Sequence, residues 1–303
     1  MTLSEILDQS TKSLEKENVP NAGFDAHQII LNLLNIDMAR YLSIKDLPIK
    51  EILENIDENS FLDELDELIN LRGRRVPLQY ILGDTFFCGL EFKVNQNVLI
   101  PRSDTETLVE KVLQDNADKN MTVLDMCTGS GCIGIALAKL GKYKKIVCAD
   151  ISEDAIEIAS RNAEKHLDRD YVFTPDDEQR QEVLFLVSDL FKNFDVLEDK
   201  QGIKAFDIIT INPPYIKTDE ISSLQEEVRY EPKLALDGGL DGLSFYKRIA
   251  SEVRPYLKEN GRMYLEIGCT QKDEVSSIFE DAGFEVLECL KDLGGLDRVL
   301  VIK

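Results

Sequence analysis

Apolar residues recur at helical spacing through the first quarter of the chain. Leu3, Ile6, Leu7 and Leu14 fall on one stripe, and Ala26, Ile29, Ile30, Leu33 and Leu34 on another. A third helix fits Phe61, Leu65, Leu68 and Ile69, and Pro77 behind Gly73 predicts its end near that glycine. Thr2 and Glu5 have the spacing of a capping box ahead of the first stripe. A small helical bundle over residues 1–75 is the expected unit. Residues 80–100, YILGDTFFCGLEFKVNQNVLI, alternate instead and carry Gly83, Gly89 and an Asn-Gln-Asn cluster. This predicts a β-hairpin within a linking segment, 76–100.

From residue 121 the pattern becomes strand, turn, helix, repeated. MTVLDM, KIVCAD, EVLFLVSD, FDIITI and GRMYLEI are short apolar runs, separated by helical stretches such as 131–141, 152–166 and 243–258. Such alternation predicts a doubly wound, mostly parallel sheet with helices on both faces, in a domain spanning 101–303. The closing stretch, FEVLECLKDLGGLDRVLVIK, adds two strands around a Gly-Gly turn, one of them expected to run antiparallel, for seven strands in all. The insert DRDYVFTPDDEQRQ, 168–181, reads as a solvated loop.

Charge narrows the partners. With 57 acidic against 35 basic residues among 303, the formal net charge is −22, which argues against nonspecific binding to nucleic acid or an anionic membrane. Residues 1–75 hold eight basic against fifteen acidic residues, so they do not form a basic nucleic-acid grip. A basic partner is easier to accommodate, and the acidic segment 1–75 together with YIKTDEISSLQEEVRYEP is the expected docking surface. The six cysteines contain no C-x-x-C and read as reduced thiols. His27 and His166 lie in dissimilar contexts, so no metal site is expected. The N-terminal MTLSEILDQS lacks the regions of a signal peptide, and no apolar run approaches the roughly 20 residues of a membrane span. A cytoplasmic monomer is the expectation.

Two sequence features carry chemistry. GSGCIG, residues 129–134, matches G-x-G-x-x-G between a strand and a helix, and Asp150 follows Gly131 by 19 residues at the end of the next strand. An acid there is placed to accept both ribose hydroxyls of an adenosine, so an adenosine-type cofactor is expected. A dinucleotide and S-adenosylmethionine both fit that description. The second feature is Asn212-Pro213-Pro214-Tyr215, which stops the run FDIITI. Two prolines can form a rigid turn and nothing more. Beside a methyl donor, however, the Asn212 side-chain oxygen and the Pro213 carbonyl can each accept one N–H of a planar amine or amide, with Tyr215 as an apolar wall. A hydride-transfer enzyme would want a proton donor near its cofactor, and neither histidine lies at a strand's carboxyl end.

With these residues in view, the chain resembles the HemK/PrmC family, methyltransferases that modify the glutamine of the Gly-Gly-Gln loop in peptide chain release factors. RGRRVPLQYILG (72–83) resembles the segment joining that family's helical and catalytic domains, and NVLIPRSDTETLVE (97–110) the stretch leading into its sheet. LDMCTGSGCIGIALA, SDLF, INPPYI, YEPKLAL and LEIGCTQ follow in the family's order. The resemblance implies a class I S-adenosylmethionine-dependent methyltransferase fold, N5-methylation of a release-factor glutamine, and S-adenosylhomocysteine as product. It further implies that Cys127, Thr128, Gly129, Ser130, Gly131, Asp150, Asp189, Leu190 and Asn212 contact the cofactor, while Asn212 to Tyr215 hold the glutamine. Three positions depart from the family's pattern: Cys127 stands at its first glycine, Ser103 at the proline after Pro-Arg, and Leu190 at the aromatic after Ser-Asp. Cys127 reads as a small core residue more than a reactive thiol. Arg102 and Glu106 read equally as pocket-shaping residues or an ordinary ion pair. The NPPY motif is shared with methyltransferases acting on exocyclic amines of nucleic-acid bases, which is the competing reading; the acidity of the chain argues against it.

Overall fold

Local capping starts the helices of the first unit. In the computed structural model, which describes residues 1–53, 57–118, 120–143, 145–167 and 182–303, Thr2 and Glu5 cap each other's backbone reciprocally at the start of α1 (Leu3–Lys16). Asn35, in a left-handed conformation, ends α2 (Ala22–Leu34), and Asp37 caps α3 (Met38–Ile44) through Arg40 N at 2.7 Å. The short α4 (Ile49–Ile52) and the long α5 (Glu58–Gly73), capped by Asp57, follow. Leu3, Ile6, Leu14, Ala26, Ile29, Ile30, Phe61, Leu65 and Ile69 form the core of this bundle, so the helical stripes do face inward.

The unit runs past residue 75. It takes in α6 (Leu78–Leu82) to Gly83, and also Gln225–Tyr230. Residues 80–82, expected in the hairpin from their alternation, are helical instead. Pro77 sets a helix-compatible entry, and Gly83 ends the turn at φ +80°. Buried Arg72 binds Asp25 Oδ2 at 2.6 Å and Glu227 Oε1 at 2.9 Å, and Arg75 grips Glu227 with two further bonds of 2.7 and 2.8 Å. Burial works to raise the Glu227 carboxyl, but the Arg75 and Arg72 guanidiniums hold it down at about 2. Glu227, expected among the docking acids, is therefore neutralised inside the bundle.

The second unit, Asp84–Leu224 with Glu231–Lys303, opens with the hairpin of β1 (Asp84–Phe87) and β2 (Leu90–Lys93). Its two-residue turn, Cys88-Gly89, has φ +49° and +74°, as the twist of a tight hairpin demands. Next come α7 (Ser103–Asp115), β3 (Thr122–Met126), α8 (Cys132–Ala136), β4 (Lys145–Asp150), α9 (Glu153–His166), β5 (Glu182–Val187), α10 (Asp195–Gln201) and β6 (Phe206–Ile211). Short α11 (Lys233–Leu236), α12 (Ser244–Glu252), β7 (Leu257–Glu266), α13 (Lys272–Asp281), β8 (Val286–Lys291) and β9 (Asp297–Ile302) complete it. The α12 helix is shorter than the expected 243–258 because Pro255 lies in its path. The insert 168–181 lies outside the described residues.

Seven strands pair in the order β5-β4-β3-β6-β7-β9-β8, all parallel except β9, which runs antiparallel to both neighbours. Side chains alternate between two cores. Leu124, Val147, Ile209, Ile211 and Met263 meet α12 and α13 on one face; Val123, Ile146, Ile208 and Tyr264 meet α7 and α8 on the other. Burial on both faces explains why these strands read as apolar runs. Among the described residues no helix is long and apolar enough to cross a membrane.

Strand order reverses at β3. From there the chain moves outward through β4 and β5, then returns to place β6 on the other side of β3. Ligands of open sheets bind beyond the strand ends at such a reversal.

Candidate active site

The parallel register fixes which loops meet at that reversal. Met126 pairs with Ile211 and with Ala149, and Asp150 pairs with Val187. The glycine turn, Asp150, the Ser188-Asp189-Leu190 loop and the Asn212-Pro213-Pro214 loop thus leave the sheet at one level. Together they wall a cleft lined by Cys127, Thr128, Gly129, Ser130, Asp150, Asp189, Leu190, Asn212 and Pro214. Of the residues expected at the site, Gly131, Pro213 and Tyr215 are not in the lining.

Gly131 works from beneath as the residue preceding α8, at φ +81°. A Cβ there would stand 2.8 Å from Ile135 Cδ1 and 3.2 Å from the Ala159 Cα, so glycine is needed for both conformation and space. Cys127 also sits at left-handed φ, +59°. A side chain costs about 1 kcal/mol or more in that region, which explains physically why the family's pattern has glycine here. Burial first, and then the carboxylates of Asp150 and Asp125, push the Cys127 thiol well above its ordinary range. Brief iodoacetamide treatment at neutral pH, read by peptide mass mapping, should therefore modify exposed Cys269 and spare Cys127. Equal labelling of the two would show that Cys127 is reactive after all.

Asp125, passed over in the sequence, organises the turn from below. It is fully buried, with Oδ2 bound by Thr128 Oγ1 at 2.5 Å and Gly134 N at 3.0 Å, and Oδ1 by Thr210 Oγ1 at 2.9 Å. Burial raises its carboxyl to about 6 although all three bonds pull the other way. An acid inside the apolar run MTVLDM was the available signal.

Asp150 ties the turn to its own strand. Oδ2 accepts Gly129 N at 2.9 Å and Oδ1 accepts Ser152 N at 3.0 Å, leaving each oxygen one further lone pair. Burial raises its carboxyl, while the Ser152 and Gly129 N–H groups draw it back. Asp189 is held below the usual range, first by Lys192, and it also takes a 2.9 Å bond from Arg248, a lining residue that the sequence did not suggest. Leu190 is buried at φ +50° and presents an aliphatic wall.

The far wall is built around Asn212. Its Nδ2 lies 3.5 Å from Thr105 Oγ1, and its Oδ1 has no partner among the described residues. Pro213 and Pro214 are buried, and the loop is pressed against Gly238, where a Cβ would come within 2.7 Å of the Tyr215 Cα. Gln271 Nε2 holds the Tyr215 carbonyl at 3.1 Å, and the Tyr215 hydroxyl points to Glu266 Oε1 at 3.4 Å. Arg102 lines the cleft and pairs with buried Glu231, which also accepts Ile100 N at 3.1 Å, so the residues before α7 are clipped to those before α11. Glu106 is not in the lining; it accepts Cys88 N at 2.7 Å and supports the hairpin turn.

This donor set suits an adenosine-bearing sulfonium. Two carboxylates with spare lone pairs, Asp150 and Asp189, share the lining with the aliphatic Leu190 and Ile151, and Ser130 Oγ, buried in the lining, has no partner among the described residues.

Comparison with known proteins agrees with that chemistry. The model described as PrmC N-terminal domain matches residues 5–83, and one described as Methyltransferase domain matches residues 117–292. The release factor glutamine methyltransferase of Thermodesulfovibrio yellowstonii is 39% identical over 283 residues, covering 92% of this chain and 91% of that protein. Its namesake from Geobacter sulfurreducens is 37% identical over 99% of this chain and 95% of its own length. The Clostridium acetobutylicum protein of the same name is 42% identical over 81% of each. Helical unit, seven-stranded sheet and near full-length identity all point one way: this chain belongs to the PrmC/HemK family of release factor glutamine methyltransferases.

Proposed function

We propose that this chain methylates the side-chain amide nitrogen of a glutamine in a peptide chain release factor, with S-adenosylmethionine held by residues 127–130, Asp150, Asp189 and Leu190 on the turn that Gly131 permits. The observation that carries the reading is the β3–β6 register, in which Met126 opposite Ile211 brings the glycine turn and Asn212 side by side at the strand ends.

The bound cofactor supplies an electrophilic methyl on a sulfonium. What this chain must supply is orientation, because an amide nitrogen is a poor nucleophile with its lone pair delocalised into the carbonyl. Asn212 Oδ1 and the Pro213 carbonyl, neither engaged by a donor among the described residues, are suited to accept the two amide N–H groups. That arrangement fixes the nitrogen, and its two acceptors strengthen as positive charge develops on it. Pinning a reactant in near-attack geometry supplies at most about 7 to 11 kcal/mol. Receiving that methyl would leave the amide nitrogen with one proton in excess, which it would lose to solvent. Pro213, Pro214 and the close packing on Gly238 keep the acceptors from swinging away. Leu190 and Ile151 offer the apolar contact that an adenine requires.

Titration calorimetry with S-adenosylmethionine and with NAD tests the cofactor assignment. Heat of binding with the first and none with the second is expected, and tighter binding of NAD would overturn it.

A further inference from the structure

Behind the amide site lies a buried acid. Glu266 ends β7 with only 2% of its surface exposed; Oε1 accepts from the Tyr215 hydroxyl at 3.4 Å, and Oε2 has no partner among the described residues. Tyr246 donates to its backbone carbonyl at 3.1 Å, fixing the strand end. Thr105, buried on α7, holds its hydroxyl 3.5 Å from Asn212 Nδ2 and lies close enough to Glu266 to draw that carboxyl down.

A threonine hydroxyl has one hydrogen to give, and an ionised carboxylate can only accept. If the hydroxyl turns its hydrogen to Glu266, its lone pairs face Asn212. The asparagine NH2 then sits at Thr105, and Oδ1 is directed at the cleft. Without that bias the amide can flip and present NH2 to an incoming NH2, donor against donor.

We propose that Glu266 and Thr105 are positioning residues for the methyl transfer: Glu266 orders the Thr105 and Tyr215 hydroxyls, and Thr105 thereby sets Asn212 with its oxygen toward the acceptor amide. The inference rests on the reading of Asn212 as the amide acceptor. It adds a requirement, that Glu266 be ionised. Protonated, Glu266 becomes a donor and competes for the same hydroxyl oxygens.

Its surroundings make that requirement sensitive to pH. Burial pushes Glu266 up to about 7; the Thr105 hydroxyl and the Arg298 guanidinium from β9 oppose the rise, Asp104 from α7 adds to it, and the Tyr215 hydroxyl lowers it slightly. Arg298 is itself occupied by Asp292 at 2.9 Å and Asp104 at 3.5 Å, so it does not close an ion pair on Glu266.

The test compares wild type, Glu266→Gln, Thr105→Ser and Thr105→Val, using S-adenosylmethionine and a glutamine-bearing release factor across a pH series. Wild-type kcat should fall as pH drops through about 7. At about pH 8, Glu266→Gln should turn over about tenfold more slowly, the effect of one misdirected hydrogen bond. The acid limb should vanish in that variant, with KM for the cofactor unchanged. Thr105→Ser should keep the wild-type profile, and Thr105→Val should be slow and flat.

A thermal series on the protein alone supplies a second reading. Because the folded state holds the Glu266 proton up to about 7, against 4.5 ordinarily, this group contributes less stability as pH rises between those values. Glu266→Gln should therefore gain in melting temperature over wild type as pH rises through that window. An acid limb that survives in Glu266→Gln, or a kcat equal to wild type, would overturn the positioning role. Wild type failing to methylate the glutamine would instead overturn the reading on which this one rests.

Discussion

Asn212→Ala should lower turnover on the order of 100-fold, the loss expected when a preorganised polar contact to the reacting group is removed. The fold should survive, because among the described residues the Asn212 amide makes a single 3.5 Å contact and engages no backbone group. Affinity for S-adenosylmethionine should change only a few fold, since the glycine turn and Asp150 are untouched. Single-turnover rates with saturating cofactor, alongside calorimetry, separate the two effects. Wild-type turnover in the variant would reduce the NPPY loop to a rigid turn.

The second large effect is expected at Asp150. Removing a charge-assisted acceptor costs about 1.5 to 3 kcal/mol, or roughly a 10- to 150-fold weaker Kd for S-adenosylmethionine. Asp150→Ala also frees Gly129 N and Ser152 N, so the turn loses its tie to β4 along with the ribose acceptor. Asp150→Asn keeps the shape but turns a donor toward one of those N–H groups, and it should bind almost as weakly. If Asp150→Ala binds the cofactor as wild type does, the carboxylate's role ends at holding the turn.

Much of this architecture was legible in the sequence because burial writes itself into periodicity. The five strands β3 to β7 read correctly as apolar runs between helices, and one reversed strand in the closing pair was foreseeable because a Gly-Gly turn leaves no room for a crossover helix; that β9 is the reversed one follows only from the pairing. Alternation misled at Leu78–Leu82, where Pro77 and Gly83 bound a single helical turn too short to display a helical period. Pairing across the sheet was the larger gap. Nothing in the order of residues states that Met126 faces Ile211, yet that register puts the two chemical motifs side by side.

The supporting polar groups were hidden for a related reason. Asp125 and Glu266 stand inside apolar strands, where a single acid hardly disturbs the pattern, and their partners Thr210, Thr105 and Tyr215 come from other elements. Arg248 and Arg102 look like surface charges until Asp189 and Glu231 are seen beside them. Cys127 is the opposite case: an apparent departure from the family's pattern becomes a specific backbone statement once its φ of +59° is known.

The central claim, methylation of a release-factor glutamine, is tested most directly by incubating the full chain with S-adenosylmethionine and a purified release factor and sequencing the peptides by tandem mass spectrometry. One added methyl group, carried by the side-chain amide of a single glutamine and absent with Asn212→Ala, is the expected result. No added mass on the release factor, or methyl groups found on another residue type or on nucleic acid in the same mixture, would contradict it.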